Sequence, residues 1–564
     1  MTEICRTELR AGAAAFSLAL MAAAAVPGLA QTTPTVGSAN TAVADPPVPR
    51  PRTQPVQVPL FSGLSFTNYT PKTFTYTPPA AAKHWAKVVL VADFSVSAGR
   101  QFDRTAQIAI GGANVYFGTT PEPSRTVSRS WHVERDITDD SALLKSVQSG
   151  EVDLGNTVNS TYTGVISGSA YLQFYPPGPG TLPAEVPDVV LPLPNVPSGT
   201  GTLNSSGDVL TETFTFPTNT VRAYLDLITQ SQGSDEFWYL GVPDSLASEL
   251  QTSGGTAFRE AEITVDGNPA GVAPVYPWIY TGGIDPYLWR PIPGVQTLNF
   301  VPYRVDLTPF AGVLNDGKPH TLGVQVFNDA NYFQVAGTLF LYRDPRLPVV
   351  KGALTADTLS AEPDPVVTQH LSTVGSETTG PVSVTSARQF TVAGYVQTSL
   401  GKVSTQVSQN IRFSSVQQFD VSPTKDDQST VQTTTVSAAT TTQLGPLRYT
   451  QQKQLAYPLT LSYLYGVNAD GTSAQTVTVK QGYTAFEADY LNGFPYYARA
   501  VSNQVTPTDT LLFDASGNVT GTQNQTSAQT YRYDDILGSH YSRTITAANG
   551  ILTSVTDGPN TFGK

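Results

Sequence analysis

The chain is nearly free of sulphur: its one cysteine, Cys5, and its two methionines, Met1 and Met21, fall in the first 30 of 564 residues. Beyond that segment the chain can offer no disulfide, no thiolate nucleophile and no cysteine-ligated metal. Charge is scarce as well. Only 13% of residues are charged, 44 acidic against 32 basic, for a net charge of −12 at pH 7. No run of lysines or arginines occurs, so binding to a phosphate backbone is disfavoured and nucleic acid is not expected as a partner. None of the five histidines is spaced as a zinc pair of the HExxH kind. There is no GxSxG elbow and no GxxxxGKS/T phosphate loop. The Gly-rich TSGGTAF (252–258) lacks the strand–loop–helix setting of a nucleotide site. No tryptophan follows Trp289.

What the chain has in quantity is turn formers and aromatics: 46 Gly, 43 Pro and an aromatic share of 10%. With abundant Ser and Thr this fits an all-β protein with many turns, and the aromatic share excludes a disordered chain. The length exceeds what one core supports, so about three domains are expected. Residues 1–30 read as a signal peptide. Arg6 and Arg10 precede the apolar run AGAAAFSLALMAAAAV, and PGLA offers a small-residue cleavage site after Ala30. The expectation is a secreted or periplasmic protein with no membrane span after cleavage, because the run is short and no second one follows. Residues 31–58, rich in Pro, Thr and Val, read as a mobile linker.

One passage is written twice. The first copy runs Phe102-Asp103-Arg104, TAQIAIGGANV, HVERDIT and SAYLQFY; the second runs Phe258-Arg259-Glu260, AEITVDGNPAGV, YRVDLTPF and GTLFLY. Both show strand-like patterning, and each begins with charge. Two similar β domains are expected, at 59–176 and 205–348. The linker between them, 177–204, has too many prolines for a central strand or a helix. Gly111-Gly112 marks a tight turn. Asp residues ahead of Leu143, Leu144 and Val147 suggest one or two helical turns in DITDDSALLKSVQSG (136–150). Residues 349–564 alternate, are rich in Ser, Thr, Gln and Val, and read as a C-terminal β-rich accessory domain. The site is expected where corners of the two copies meet, with Asp103 facing Arg259 or Glu260.

All five tryptophans, Trp85, Trp131, Trp238, Trp278 and Trp289, lie in the first two domains. Several stand beside charge in SWHVERD (130–136), GSDEFWY (233–239) and PWIYTGGIDPYLWRP (277–291). Aromatic faces beside carboxylates and arginine suit a pyranose, whose C–H face stacks on indole while its hydroxyls bond charged groups. The same residues serve equally as an inter-domain core with its salt bridges. Asp103, Asp235 and Glu236, flanked by aromatics, are candidates for raised pKa and general acid–base work. His132 alone among the histidines adjoins an aromatic–acidic run.

The runs NTVRAYLDLITQSQGSDEFWYLGVPDS, GGTAFREAEITVDGNPAGV and PWIYTGGIDPYLWRPIPG resemble the plant-type (acidic) peptide:N-glycanase A family of amidases. So do FDRTAQIAIGGANVYFGTTPEP, WHVERDITDDSALL and YRVDLTPFAGVLNDGKPHTLGV, and together they span roughly residues 60–345. The Asp103-Arg104 strand also resembles the WDRYANV-like strand of the bacterial peptide-N-glycosidase F group. The resemblance implies an all-β fold of two tandem antiparallel eight-stranded jelly-roll domains packed side by side. It implies hydrolysis of the amide between the innermost N-acetylglucosamine and Asn, with the glycan leaving as a glycosylamine and Asn becoming Asp. No metal and no organic cofactor are implied; N-glycosylated peptides and glycoproteins are the partners, and a monomer is expected.

Carried onto this chain, the resemblance makes Asp103 the leading catalytic candidate, activating or orienting water. A protonated Glu236 or Glu260 would assist departure of the glycosylamine, and the choice between them stays open. Arg104, Arg259 or Arg290 would stabilise the developing oxyanion. Trp238 and Trp289 would hold the chitobiose core, with His132, Asp235 and Asp285 as further substrate-binding candidates. A further acid of the glycosidase F group falls near Asn156 or Asn159 and has no counterpart; nor do that group's disulfides. A non-catalytic carbohydrate-binding jelly-roll protein and an endoglycosidase are the alternative readings.

Overall fold

The structure is a computed structural model that describes residues 34–80, 84–179 and 181–561. The signal-like segment, with Cys5, Met1 and Met21, lies outside the described residues.

The first unit comprises β1 (Val56–Phe66), β2 (Lys72–Tyr76), β3 (Lys87–Val96), β4 (Thr105–Ile110), β5 (Ala113–Thr119), β6 (Arg129–Asp136), β7 (Gln148–Asp153) and β8 (Ile166–Tyr175). They form two four-stranded antiparallel sheets in the orders β1-β8-β3-β6 and β2-β7-β4-β5, which is the strand order of a jelly roll. After β9 (Val189–Leu193) the pattern starts again: β10 (Gly201–Leu203), β11 (Leu210–Thr215), β12 (Thr220–Gln232), β13 (Glu260–Val265), β14 (Asn268–Pro274), β15 (Tyr303–Asp306), β16 (Pro319–Val326) and β17 (Tyr332–Arg343). Their orders are β10-β17-β12-β15 and β11-β16-β13-β14. The second unit therefore repeats the first strand for strand.

The written repeat maps onto this topology. The FDR copy leads into β4 and the FRE copy into its equivalent, β13. Gly111-Gly112, at φ 57° and 80°, turns β4 into β5, and Asp266-Gly267, at φ 52° and 77°, turns β13 into β14. Two successive positive-φ residues make the turn whose twist suits a tight hairpin. The expected helical turns at 136–150 are one 3-10 helix, Thr138–Lys145.

Two linker expectations need correction. Part of 177–204 is ordered into sheet: β9 and β10 both pair along β17 as edge strands, a position that tolerates Pro192. The stretch 31–58, expected to be mobile, is a strap over its described length. The Gly37 N–H donates to Leu552 O at 2.8 Å, and the Leu552 N–H to Ser38 O at 2.9 Å. Ala44 is fully buried and its N–H donates to Gln529 Oε1 at 2.7 Å. Arg50 then pairs with Glu134 of β6 at 2.6 Å. Proline here gives an extended path with few N–H groups to satisfy, rather than freedom.

Residues 351–557 build one antiparallel sheet of twelve strands. Two of them, Glu377–Thr398 and Gly401–Ser422, are 22 residues long. Burial alternates along them with the period of two that strands impose. The inward face shares a core with the second jelly roll: Phe258 meets Phe413 at 5.1 Å between centroids and Tyr276 meets Tyr457 at 5.0 Å. The first jelly roll keeps a core of its own around Leu90, Ile108, Tyr116 and Phe174.

Candidate active site

Equivalent loops of the two jelly rolls meet at one seam. The β3–β4 loop brings Asp103 and the β5–β6 loop brings Glu122; from the second unit the β12–β13 loop brings Glu236 and the β14–β15 loop brings Tyr280, Gly282 and Arg290. Thr281 stitches them together. Its hydroxyl donates to Thr120 O at 2.8 Å and accepts the Glu122 N–H at 3.1 Å. The Gly282 N–H donates to the Asp103 carboxylate. A Cβ on Gly282 would overlap Asp103 Oδ1 and stand 3.1 Å from Glu122 Oε2. Arg290 donates to Glu122 Oε1 at 3.1 Å and to Pro123 O at 3.1 Å.

Of the three half-buried carboxyls, Asp103 perturbs the other two. Burial pushes Glu236 up to about 7, and the neighbouring Asp103 charge adds to the push. Burial also takes Glu122 to about 7; Arg290 opposes the rise, while Asp103 and Asp285 reinforce it. Asp103 is raised by burial too, but the Gly282 N–H and the Arg104 charge favour its ionised form. Among the described residues no hydrogen-bond donor reaches the Glu236 carboxyl. One carboxylate steadied by donors beside one carboxyl without any is the arrangement that separates base from acid.

Glu236 owes its place to its neighbour. Asp235, fully buried, accepts from Arg259 Nη2 at 2.8 Å and from the N–H groups of Ala330, Asn331 and Tyr332 at 2.9, 2.7 and 3.1 Å. This pins the 3-10 turn Gly233–Asp235 and aims the next residue at the seam.

Several expected residues lie elsewhere. Asp103 does not face Arg259 or Glu260. Arg259 is spent on Asp235, and Glu260 forms a buried ion pair with Arg388 of the C-terminal sheet, which also reaches Glu262 at 3.3 Å. The acids that meet come from the near end of one loop and the far end of its equivalent. Trp238 and Trp289 are 1% and 3% exposed and present no ring face to a ligand. Trp238 packs on Tyr239 and Phe413, and Trp289 Nε1 donates to Gly283 O at 3.0 Å. The core role of these tryptophans is the one the packing fits. His132 lies on β6 between Asp93 at 2.7 Å and Glu134 at 3.1 Å, in the network of Arg50. Asp285 lies in the loop that carries Arg290 and is fully buried. Arg104 adjoins Asp103, its Nη2 donating to Gln101 at 2.7 Å.

Some site residues were not singled out from sequence. Glu122 sits in GTTPEPSR with no aromatic neighbour to flag it. It supplies a third acid, whereas Asn156 is a fully buried structural amide bonded to Phe66 O and Gly164 O. Exposed Phe102, tilted against Tyr162 at 5.5 Å, and exposed Tyr69, beneath the Arg104 guanidinium, line the open side. A cavity of about 400 Å³ at the seam, lined by Arg135, Asp140, Asp226 and Arg304, opens toward the Asn114 end of β5, opposite the end that adjoins Asp103 and away from the acid cluster.

A double jelly roll with carboxyls converging in its seam is the class that fold and site define. A family model described as peptide N-acetyl-beta-D-glucosaminyl asparaginase amidase A matches residues 53–356. The chain belongs to that family. It is 31% identical over 390 residues to peptide-N4-(N-acetyl-beta-glucosaminyl)asparagine amidase A of Prunus dulcis, covering 65% of this chain and 67% of that protein. Among solved structures it is similar to recombinant peptide: N-glycanase F, with a TM-score of 0.34 and 13% identity over 51% of this chain and 96% of that one. Similarity to PNGF-II has a TM-score of 0.35 and 14% identity, over 51% of this chain and 66% of that one.

Proposed function

We propose that this protein is an amidase that hydrolyses the bond between the core N-acetylglucosamine and Asn of glycoproteins or glycopeptides, releasing a glycosylamine and leaving Asp. The observation that carries the reading is the convergence of Asp103, Glu122 and Glu236, from equivalent loops of two jelly rolls, in a chain of this family.

Asp103 takes a proton from water as the oxygen attacks the side-chain carbonyl. The C–N bond then breaks, and the departing nitrogen takes its proton from Glu236. Burial and the Asp103 charge keep Glu236 protonated below about pH 7. Glu122, braced by Arg290, stands beside Asp103, whose charge helps keep it protonated. Phe102 and Tyr162, at the open side, offer ring faces to sugar or peptide. A secreted or periplasmic location, supported by residues 1–30, and a monomeric state accompany this reading; N-terminal sequencing of the exported protein and light scattering test them.

Incubation with a denatured N-glycopeptide, followed by mass analysis, tests the activity. An amidase leaves Asp on the peptide and a free chitobiose end. One sugar left on Asn would make the protein an endoglycosidase, and unchanged glycopeptide with retained binding would make it a lectin.

A further inference from the structure

The C-terminal sheet holds the loop that carries Gly282 and Arg290. Gln481, fully buried, donates to Pro277 O at 2.7 Å and accepts the Val295 N–H at 2.8 Å. Gln525, 3% exposed, donates to Tyr287 O at 3.0 Å and Arg290 O at 2.8 Å. Between these amide clamps lies a contact of another kind. Asp285 of the loop and Asp509 of the sheet are both fully buried, and their carboxyl groups face each other.

Asp285 Oδ1 accepts the Tyr287 N–H at 2.8 Å. Asp285 Oδ2 and both oxygens of Asp509 receive no well-formed hydrogen bond from an N–H or hydroxyl among the described residues, although the Thr510 N–H lies near Asp509. Two ionised carboxylates cannot stand in contact in such a place; one proton between them turns repulsion into a hydrogen bond. The charges that face the pair are Arg290, from the loop, and Glu122, from the first jelly roll.

We infer that Asp509 is a positioning residue for the active site, fixing the Asp285–Arg290 turn through a proton shared with Asp285. The sheet thereby completes a site to which it contributes no reacting group, and its hold depends on pH. Burial pushes Asp509 up to about 7, reinforced by Asp285. The folded pair keeps a proton that the unfolded chain gives up near pH 4. Its contribution to stability is therefore full below about pH 4 and lost as pH rises through about 7.

Asp509→Asn supplies a permanent amide donor to an ionised Asp285, whereas Asp509→Ala supplies nothing. The full chain and both variants are compared by melting temperature from pH 4 to pH 8 and by kcat/KM on a glycopeptide. The expected result is that D509N loses less melting temperature over that range than the wild type and keeps a larger fraction of its activity above pH 7. D509A loses about tenfold or more in kcat/KM, a fall of the size that misplacing a reacting group produces. A D509N melting profile that parallels the wild type overturns the shared proton, even if D509A fails to fold. A folded D509A with wild-type kcat/KM overturns the positioning role. The activity arm rests on the amidase reading: a wild type that cleaves no glycopeptide defeats that reading, while the melting profiles still decide the proton.

Discussion

Gly282 gives its backbone N–H to Asp103 across the seam between the two jelly rolls, at an approach that no other residue could share, because a Cβ there would overlap the carboxylate. One contact thus favours the ionised form of the candidate base, against the burial that raises it, and marks how closely the halves approach.

Gly282→Ala is expected to lower kcat/KM by about 10²-fold, the scale of a 1 Å misplacement, while both β cores stay intact. Peptide deglycosylation assays with circular dichroism on the same sample check this. Wild-type turnover would show that the close approach is dispensable.

Asp103→Asn removes the candidate base and should cost about 10²–10⁴-fold in kcat, the usual reach of general base catalysis. Glycopeptide binding, read by calorimetry, should survive. Retained turnover in a folded variant would take the role away from Asp103.

Glu236 works in the protonated form, so activity should decline as pH rises through about 7. Glu236→Gln should lower kcat below about pH 7 and remove its share of that alkaline limb, leaving the share of the Asp285–Asp509 pair. Glu260→Gln should leave the limb in place, because Glu260 is tied to Arg388 and stands outside the cluster. A pH–rate series on the three proteins separates them.

Asp235→Ala leaves Arg259 buried without its partner, a change that costs about 3–5 kcal/mol in comparable ion pairs. Denaturant unfolding should show that loss. Since the same ion pair pins the turn before Glu236, kcat should drop as well.

Burial alone would lower the His132 pKa, but its hydrogen bonds to Asp93 and Glu134 raise it to about 9. A folded pKa above the unfolded value of about 6.5 makes the contribution full below about pH 6.5 and lost as pH climbs through about 9. His132→Gln should flatten the fall in melting temperature over that range and leave turnover unchanged.

The repeat was readable because β4 with β5 and β13 with β14 each carry short buried strands joined by a two-residue turn, and local pattern records both. Asp103 was readable through its resemblance-bearing strand, and Glu236 remained one of two choices. The choice was closed to sequence because the partner that consumes Glu260, Arg388, lies 128 residues away in another sheet. Glu122 was invisible for a similar reason: it becomes a site acid only when Thr281 docks its loop against Asp103. The tryptophans misled because charge adjacent along the chain is not charge adjacent in space; Trp238 follows Asp235 and Glu236 yet turns into the core. The strap misled because composition reports what a segment cannot form, not what it lies against.

That strap has a consequence for when the molecule can become itself. Residues 37 and 38 are made before either jelly roll, but the backbone they bond, at Leu552, is made after both. Folding of a nascent chain proceeds largely from the N-terminus, and here it must wait at the opening stretch. The first jelly roll has a core of its own, yet the strap that runs from it to the C-terminal sheet can close only once Leu552 has been made. A chain that stops between the second jelly roll and Leu552 would thus carry every seam acid with its strap untied.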